Sequence, residues 1–179
     1  MEITVIRHLP TEWNKNHKLQ GYRDIKILPI TESDQKEISE NLKILKGQTF
    51  DYVLCSTLKR TQETAELYGY EPKAEPLLNE LDFGPFEGLS KEQLINRYGE
   101  TWIENPKEIT LGESLINLEN RIISFLGKYK DSSSLLVFGH GSWIRALKSY
   151  YQYGHINNMN KTIVKNNECI SLEFLTVEV

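Results

Sequence analysis

Apolar residues fall along this chain in two rhythms. Residues 3–6, 50–55 and 135–138 are short aliphatic and aromatic runs bounded by polar residues. That is the pattern of strands buried on both faces of a parallel sheet. Between them the apolar positions recur at helical spacing. Ile38, Leu42 and Leu45 follow a capping box at Thr31-Glu32-Ser33-Asp34 and precede Gly47, which predicts a helix with those three residues inside. Leu58, Thr61, Ala65 and Tyr68 form a second inner face, with Ser56 as its predicted N-cap. Ser90 and Gln93 open another helix, which Gly99 closes. Ser114 starts what reads as the longest helix, with Leu115, Leu118, Ile122, Phe125 and Tyr129 inside and Glu119, Asn120 and Lys128 outside. Residues 143–151 read as a further helix. The remainder is weakly periodic: a short helix and an irregular connection over 11–30, loops over 74–89 and 99–113, and a final strand over 168–179, at an edge or antiparallel to its neighbour.

Strands alternating with amphipathic helices predict an α/β fold, a three-layer α/β/α sandwich around a mostly parallel sheet. With 179 residues and no internal repeat or linker, the chain reads as one domain spanning 1–179. A hydrophobic fraction of 39% against 26% charged residues fits a globular core. The net charge of −4, with lysines and arginines scattered, argues against nucleic-acid or membrane partners. It leaves room for an anionic substrate, because a local pocket field can oppose the net charge. The chain opens directly into a strand, so no leader peptide is expected. Cys55 and Cys169 lie in apolar stretches and read as core thiols of a reducing, cytoplasmic compartment. His17 and His155 read as surface residues.

Candidate chemistry collects at the ends of the predicted strands. The first run ends in Arg7-His8, the second in Ser56 with Arg60 in the following turn, and the third in Gly139-His140-Gly141. In parallel strands these ends share one sheet edge, where ligands of α/β proteins bind. Two arginines, two histidines and a helix N-terminus there would make an anion site suited to a phosphoryl group.

Arg7-His8-x-x-Thr11-x-x-Asn14 resembles the signature of the histidine phosphatase (phosphoglycerate mutase-like) superfamily. Further similar stretches follow in order: Gln20-Gly21 with Asp24, Ser56 to Arg60 with Thr64-Ala65, and Asn79 to Gly84 with Glu87-Gly88. Gly112-Glu113-Ser114 with Arg121 and Gly139-His140-Gly141 complete the set. The resemblance implies a phosphoglycerate mutase-like fold and a set of roles. His8 is the nucleophile that forms a phosphohistidine, and its second ring nitrogen is held by a hydrogen bond. Arg7, Asn14, Arg60 and His140 hold the phosphoryl oxygens, and Glu80 serves the leaving oxygen and then the attacking water. It implies no metal and no cofactor. The family's usual glycine after the nucleophile is replaced here by Leu9, and Pro10 biases Leu9 towards extended angles. Thr57 stands where proline is common and Glu63 where glutamine is common. Such changes are expected to reshape the pocket rim.

The expected activity is therefore hydrolysis of a small-molecule phosphate ester. The size and the Gly112-Glu113-Ser114 stretch are similar to the α-ribazole phosphatase branch. Two other readings stand beside it. One is a phosphoglycerate mutase-type phosphotransferase, whose known members carry an added segment over the substrate. The other is a phosphate-ester-binding protein with impaired turnover, which Leu9 and Pro10 motivate. Either a monomer or a homodimer is compatible with the sequence.

Overall fold

The computed structural model describes residues 1–175. Its sheet is built from β1 (Glu2–Arg7), β2 (Tyr52–Cys55), β3 (Lys73–Ala74), β4 (Ser134–Gly139) and β5 (Cys169–Glu173) in the order β3-β2-β4-β1-β5. All pairs are parallel except β1 with β5, which are antiparallel. The C-terminal strand is thus an antiparallel edge, and positions 176–179 of its expected range lie outside the described residues.

Alternation along the strands divides the core in two. Ile3, Val5, Leu135 and Val137 face one cluster, completed by Leu115, Leu118, Ile122 and Phe125 of α6 (Leu115–Lys128) and by Trp143, Ile144 and Leu147 of α7 (Gly141–Tyr153). Ile6, Leu136 and Phe138 face the other, with Ile38 and Leu45 of α2 (Glu32–Leu45) and Ala65 of α3 (Lys59–Leu67). Helices therefore cover both faces of a mixed but mostly parallel sheet, the predicted sandwich.

The predicted capping boxes at Thr31 and Ser90 form, the latter opening α4 (Lys91–Tyr98), and Ser114 caps α6 as expected. Several local expectations differ. Leu42 is exposed, because the apolar face of α2 is narrower than its spacing implied. Helices α2 and α6 are equally long, at 14 residues each. The stretch 99–113 is not a plain loop: Gly99, at φ +57°, ends α4, and α5 (Glu100–Glu104) starts at once, followed by a 3₁₀ turn at Pro106–Glu108. Five residues are too few to show a period, yet Trp102 is buried there. The two-residue strand β3 is exposed and carries no β-forming side chain, so no pattern marked it.

Candidate functional site

Registry brings the first pair of side chains together. Arg7 pairs with Gly139 across parallel β1 and β4, and the His8 N–H donates to Gly139 O at 3.0 Å. His8 and His140 therefore leave adjacent strands side by side, ring centroids 5.4 Å apart and inclined by 62°. Both are buried. His8 Nδ1 lies 2.7 Å from the carbonyl oxygen of its own neighbour, Leu9. A carbonyl only accepts, so Nδ1 carries the proton and Nε2 presents a lone pair. Burial, and then the positive charges of Arg60 and Arg7, hold the His8 pKa well below its ordinary value, so the ring is neutral.

Leu9 earns its place in this arrangement. It is absent from the residues with positive φ, so no glycine is required after His8. Its N–H donates to Thr64 Oγ1 at 3.0 Å, and its side chain is buried in the cluster beneath α2 and α3. The carbonyl that orients His8 is thereby fixed from both sides.

Two arginines flank the histidines. Arg60, on α3, is buried and donates from Nη1 to Arg23 O (2.6 Å) and from Nη2 to Gly21 O (2.8 Å). Gly21 sits at φ +54°, and a Cβ there would come within 2.4 Å of Glu87 Oε1, which accepts from the Tyr22 N–H. Only glycine lets this loop pass so close to Glu87 while turning its carbonyl to Arg60. Arg7 is held through Val164 O, and its guanidinium lies against Gly141, where an added Cβ would meet Cζ at 3.1 Å. Burial pushes both guanidinium pKa values down to about 10, with Arg145 adding to the effect on Arg7, so both remain charged at neutral pH.

Neither helix of the site is capped by its own residues. Ser56 is not the N-cap of α3 that the sequence predicts: its Oγ accepts from the Leu58 N–H (3.1 Å), one residue short of the helix, and Asp24 Oδ1 accepts from the Lys59 N–H at 2.8 Å. Ser56 also hydrogen-bonds His140 Nε2 (2.7 Å) and Thr61 Oγ1 (2.9 Å), fixing the second imidazole. Helix α7 begins at Gly141, two residues earlier than expected, and its first N–H groups are not left for a phosphate. Glu80 takes them: Oε2 accepts from the Ser142 N–H (3.0 Å), and Oε1 from Trp143 (3.1 Å) and Leu81 (2.8 Å). A carboxylate at a helix N-terminus is electrostatically favoured.

Glu80 is held from behind by Arg121 and Glu113, which pair at 2.6 Å. Arg121 Nη1 also donates to Leu77 O (3.0 Å) and Asn79 O (2.7 Å), and Glu113 Oε1 accepts from the Asp82 N–H (3.1 Å). Asn14 lines the same cavity; its Oδ1 is occupied in the capping box of α1 (Glu12–Lys15) and by Asn166, and its amide nitrogen has no partner among the described residues.

Arg7, His8, Asn14, Arg60 and Glu80 line one cavity of about 210 Å³, and His140 lies behind it against His8. Among the described residues, four buried side-chain atoms lack a hydrogen-bond partner: Arg7 Nε, Arg60 Nε, His140 Nδ1 and Trp102 Nε1. Three of them belong to this site, which suits an anion with several oxygens. The structure thus brings all six sequence-selected residues together. Sequence reasoning missed Arg145 and Lys91 on the same cavity wall. Arg145 was legible in principle, since Ser142 and Arg145 are three apart on one helix. The thiols do not join the site chemically: burial raises the Cys55 pKa to about 11, and both cysteines are free. No helix among the described residues is long and apolar enough to cross a membrane.

Comparison with known proteins agrees with this geometry. The family model for the histidine phosphatase superfamily (branch 1) matches residues 3–176. The uncharacterized phosphatase PhoE of Bacillus subtilis is 29% identical over 180 residues, covering 96% of this chain and 88% of that protein. A 2,3-bisphosphoglycerate-dependent phosphoglycerate mutase of Cytophaga hutchinsonii is 26% identical, over 84% of this chain and 76% of the mutase. The structure of open reading frame Rv3214 from Mycobacterium tuberculosis superposes with a TM-score of 0.82 at 21% identity, covering 98% of this chain and 92% of that one. The chain belongs to the histidine phosphatase superfamily, branch 1.

Proposed function

We propose that this chain is a metal-independent phosphomonoesterase acting through a phosphohistidine at His8 on a small phosphorylated metabolite. The observation that carries the proposal is the neutral His8 ring, anchored at Nδ1 by Leu9 O and flanked by the Arg7 and Arg60 guanidinium groups. Nε2 attacks phosphorus and the bond to the leaving oxygen breaks. Arg7, Arg60, Asn14 and His140 hold the remaining phosphoryl oxygens as negative charge develops. Glu80 Oε2 accepts a single backbone hydrogen bond, so it keeps a lone pair for a proton. Glu80 gives that proton to the leaving oxygen and recovers one from the water that attacks phospho-His8. The sum is ester plus water to alcohol plus phosphate.

Hydrolysis is favoured over phosphotransfer between two positions by the stretch between α4 and α6. It is a five-residue helix and a 3₁₀ turn, without the added segment that the mutase resemblance implies. The motive for an impaired binding protein also weakens, since Leu9 takes the nucleophile loop into the core without positive φ. α-Ribazole phosphate is one substrate within the proposed class. The test is p-nitrophenyl phosphate hydrolysis with and without EDTA. Activity is expected to be unaffected by EDTA and absent in His8→Ala. Binding of phosphate esters without turnover of any member of a broad panel would overturn the enzyme reading, and EDTA inhibition reversed by a metal would overturn the mechanism.

A further inference from the structure

Residues 162–168, between α7 and β5, run alongside the nucleophile loop and touch three residues of the site. Val164 O accepts from Arg7 Nη1, and the backbone of Arg7 bonds to the Asn167 N–H (2.9 Å) and to Glu168 O (3.1 Å). Asn166 Nδ2 donates to His8 O at 3.0 Å and to Asn14 Oδ1 at 3.3 Å. The stretch is itself held in place. Asn167 is buried with φ +63°, a conformation that asparagine tolerates. Its side chain accepts from the Tyr68 hydroxyl and donates to Glu37 Oε2 (3.3 Å), while its carbonyl accepts from Asn41 Nδ2 (2.8 Å). Glu37 and Asn41 stand on α2 and Tyr68 directly follows α3, so both helices hold the backbone that presents Asn166.

Two backbone groups decide how the amides of Asn14 and Asn166 face. The Thr11 N–H only donates, and it meets Asn14 Oδ1 at 3.0 Å. His8 O only accepts, so the end of the Asn166 amide that faces it is the nitrogen. That nitrogen carries two hydrogens, one for His8 O and one for Asn14 Oδ1. The Thr11 hydroxyl has a single hydrogen, and Gln20 Oε1 at 2.7 Å takes it in preference to Asn14 Oδ1 at 3.2 Å. Asn14 Oδ1 is thus held by two donors, the Thr11 N–H and Asn166, and the amide nitrogen is left as a donor on a residue that lines the cavity. Asn166 itself does not line it. We propose that Asn166 is a positioning residue for the reaction: braced on the nucleophile's own carbonyl, it fixes the Asn14 amide so that nitrogen, not oxygen, meets the phosphoryl group. The inference rests on the phosphatase reading, in which Asn14 holds a phosphoryl oxygen. Without Asn166 a single hydrogen bond holds the amide, and an Asn14 that turns over offers the phosphoryl group an oxygen that repels it.

A double-mutant cycle separates this role from a structural one, because a structural loss multiplies through every background. kcat/KM for p-nitrophenyl phosphate is measured for the wild type, Asn14→Ala, Asn166→Ala and the double variant. Asn166→Ala is expected to lower kcat/KM about tenfold or more in the wild-type background and less than about threefold where Asn14 is already alanine. Asn166→Asp keeps the volume of the side chain but turns an acceptor towards His8 O and Asn14 Oδ1. It is expected to lose at least as much as the alanine variant, again only while Asn14 is present, and its own cycle carries the test if Asn166→Ala does not fold. Equal proportional losses in both backgrounds would overturn the positioning role while leaving the phosphatase reading intact. Wild-type kcat/KM in Asn166→Asp would overturn it as well, since volume alone would then suffice. A wild-type protein that hydrolyses neither p-nitrophenyl phosphate nor any member of a broad phosphate-ester panel would overturn the phosphatase reading and this inference together.

Discussion

The carbonyl oxygen of Leu9 lies 2.7 Å from Nδ1 of His8, so the residue after the histidine fixes its tautomer. A backbone acceptor cannot be exchanged by side-chain substitution, and Leu9 is itself tied to Thr64 and buried in the core. Nitrogen NMR of the imidazoles at pH 7 is therefore predicted to show His8 neutral, protonated at Nδ1 and bare at Nε2. A protonated Nε2 would remove the nucleophile from the account.

Burial of two histidines makes stability depend on pH. The pKa values of His8 and His140 both lie well below the ordinary 6.5, chiefly through burial and next through Arg60. The folded state keeps both rings neutral where the unfolded chain protonates them, so the unfolded state binds more protons below about pH 6.5. Their contribution is present above that pH and is lost as pH falls towards the folded-state values. Denaturant titrations from pH 7.5 to 5 should show stability falling by up to about 1.4 kcal/mol per pH unit for each ring. The double variant His8→Gln, His140→Gln should flatten the dependence.

Glu80 joins chemistry to architecture, because the side chain assigned to proton transfer also caps α7. Removing it leaves the N–H groups of Ser142 and Trp143 buried without an acceptor. Glu80→Ala is predicted to lower kcat by about 10²- to 10⁴-fold. It should also cost about 1–3 kcal/mol for each N–H left unsatisfied. Glu80→Gln keeps one acceptor oxygen and should lose the activity with a smaller loss of stability. Kinetics and thermal unfolding of the two variants check this.

The pair Arg121–Glu113 touches neither histidine, yet it grips the chain on both sides of Glu80 through Leu77 O, Asn79 O and the Asp82 N–H. Arg121→Ala strands a largely buried Glu113 carboxylate and is predicted to destabilise by about 3 kcal/mol. As a positioning residue, its loss should lower kcat more than it raises KM, with partial rescue in Arg121→Lys. An unchanged kcat in a folded Arg121→Ala protein would mean that Glu80 needs no such support.

Much of this was legible in the sequence because short parallel strands announce themselves. Buried on both faces, the runs at 3–6 and 135–138 stand out as continuous apolar segments, and their ends name Arg7, His8 and His140. Capping boxes at Thr31 and Ser90 were equally plain, since each cap lies within four residues of its partner. The capping of α3 by Asp24 and of α7 by Glu80 was not, because those partners are 35 and 62 residues away. The same limit hid Lys91, which is unremarkable alone and which only folding places on the cavity wall; Arg145 follows Ser142 by three on one helix, but no local pattern turned that helix face towards the site. Leu9 looked like an anomaly beside a family habit of glycine, and its burial under α2 and α3 depends on tertiary contacts that no local pattern encodes.

The central claim is that phosphorus is bonded to His8 during turnover, and rapid-quench trapping with a 32P-labelled phosphomonoester tests it most directly. The account predicts an acid-labile, alkali-stable label that reaches up to about one phosphoryl group per chain, maps to His8 and is absent in His8→Ala. Steady turnover with no labelled enzyme in a burst-phase quench, or label on any other residue, would contradict it.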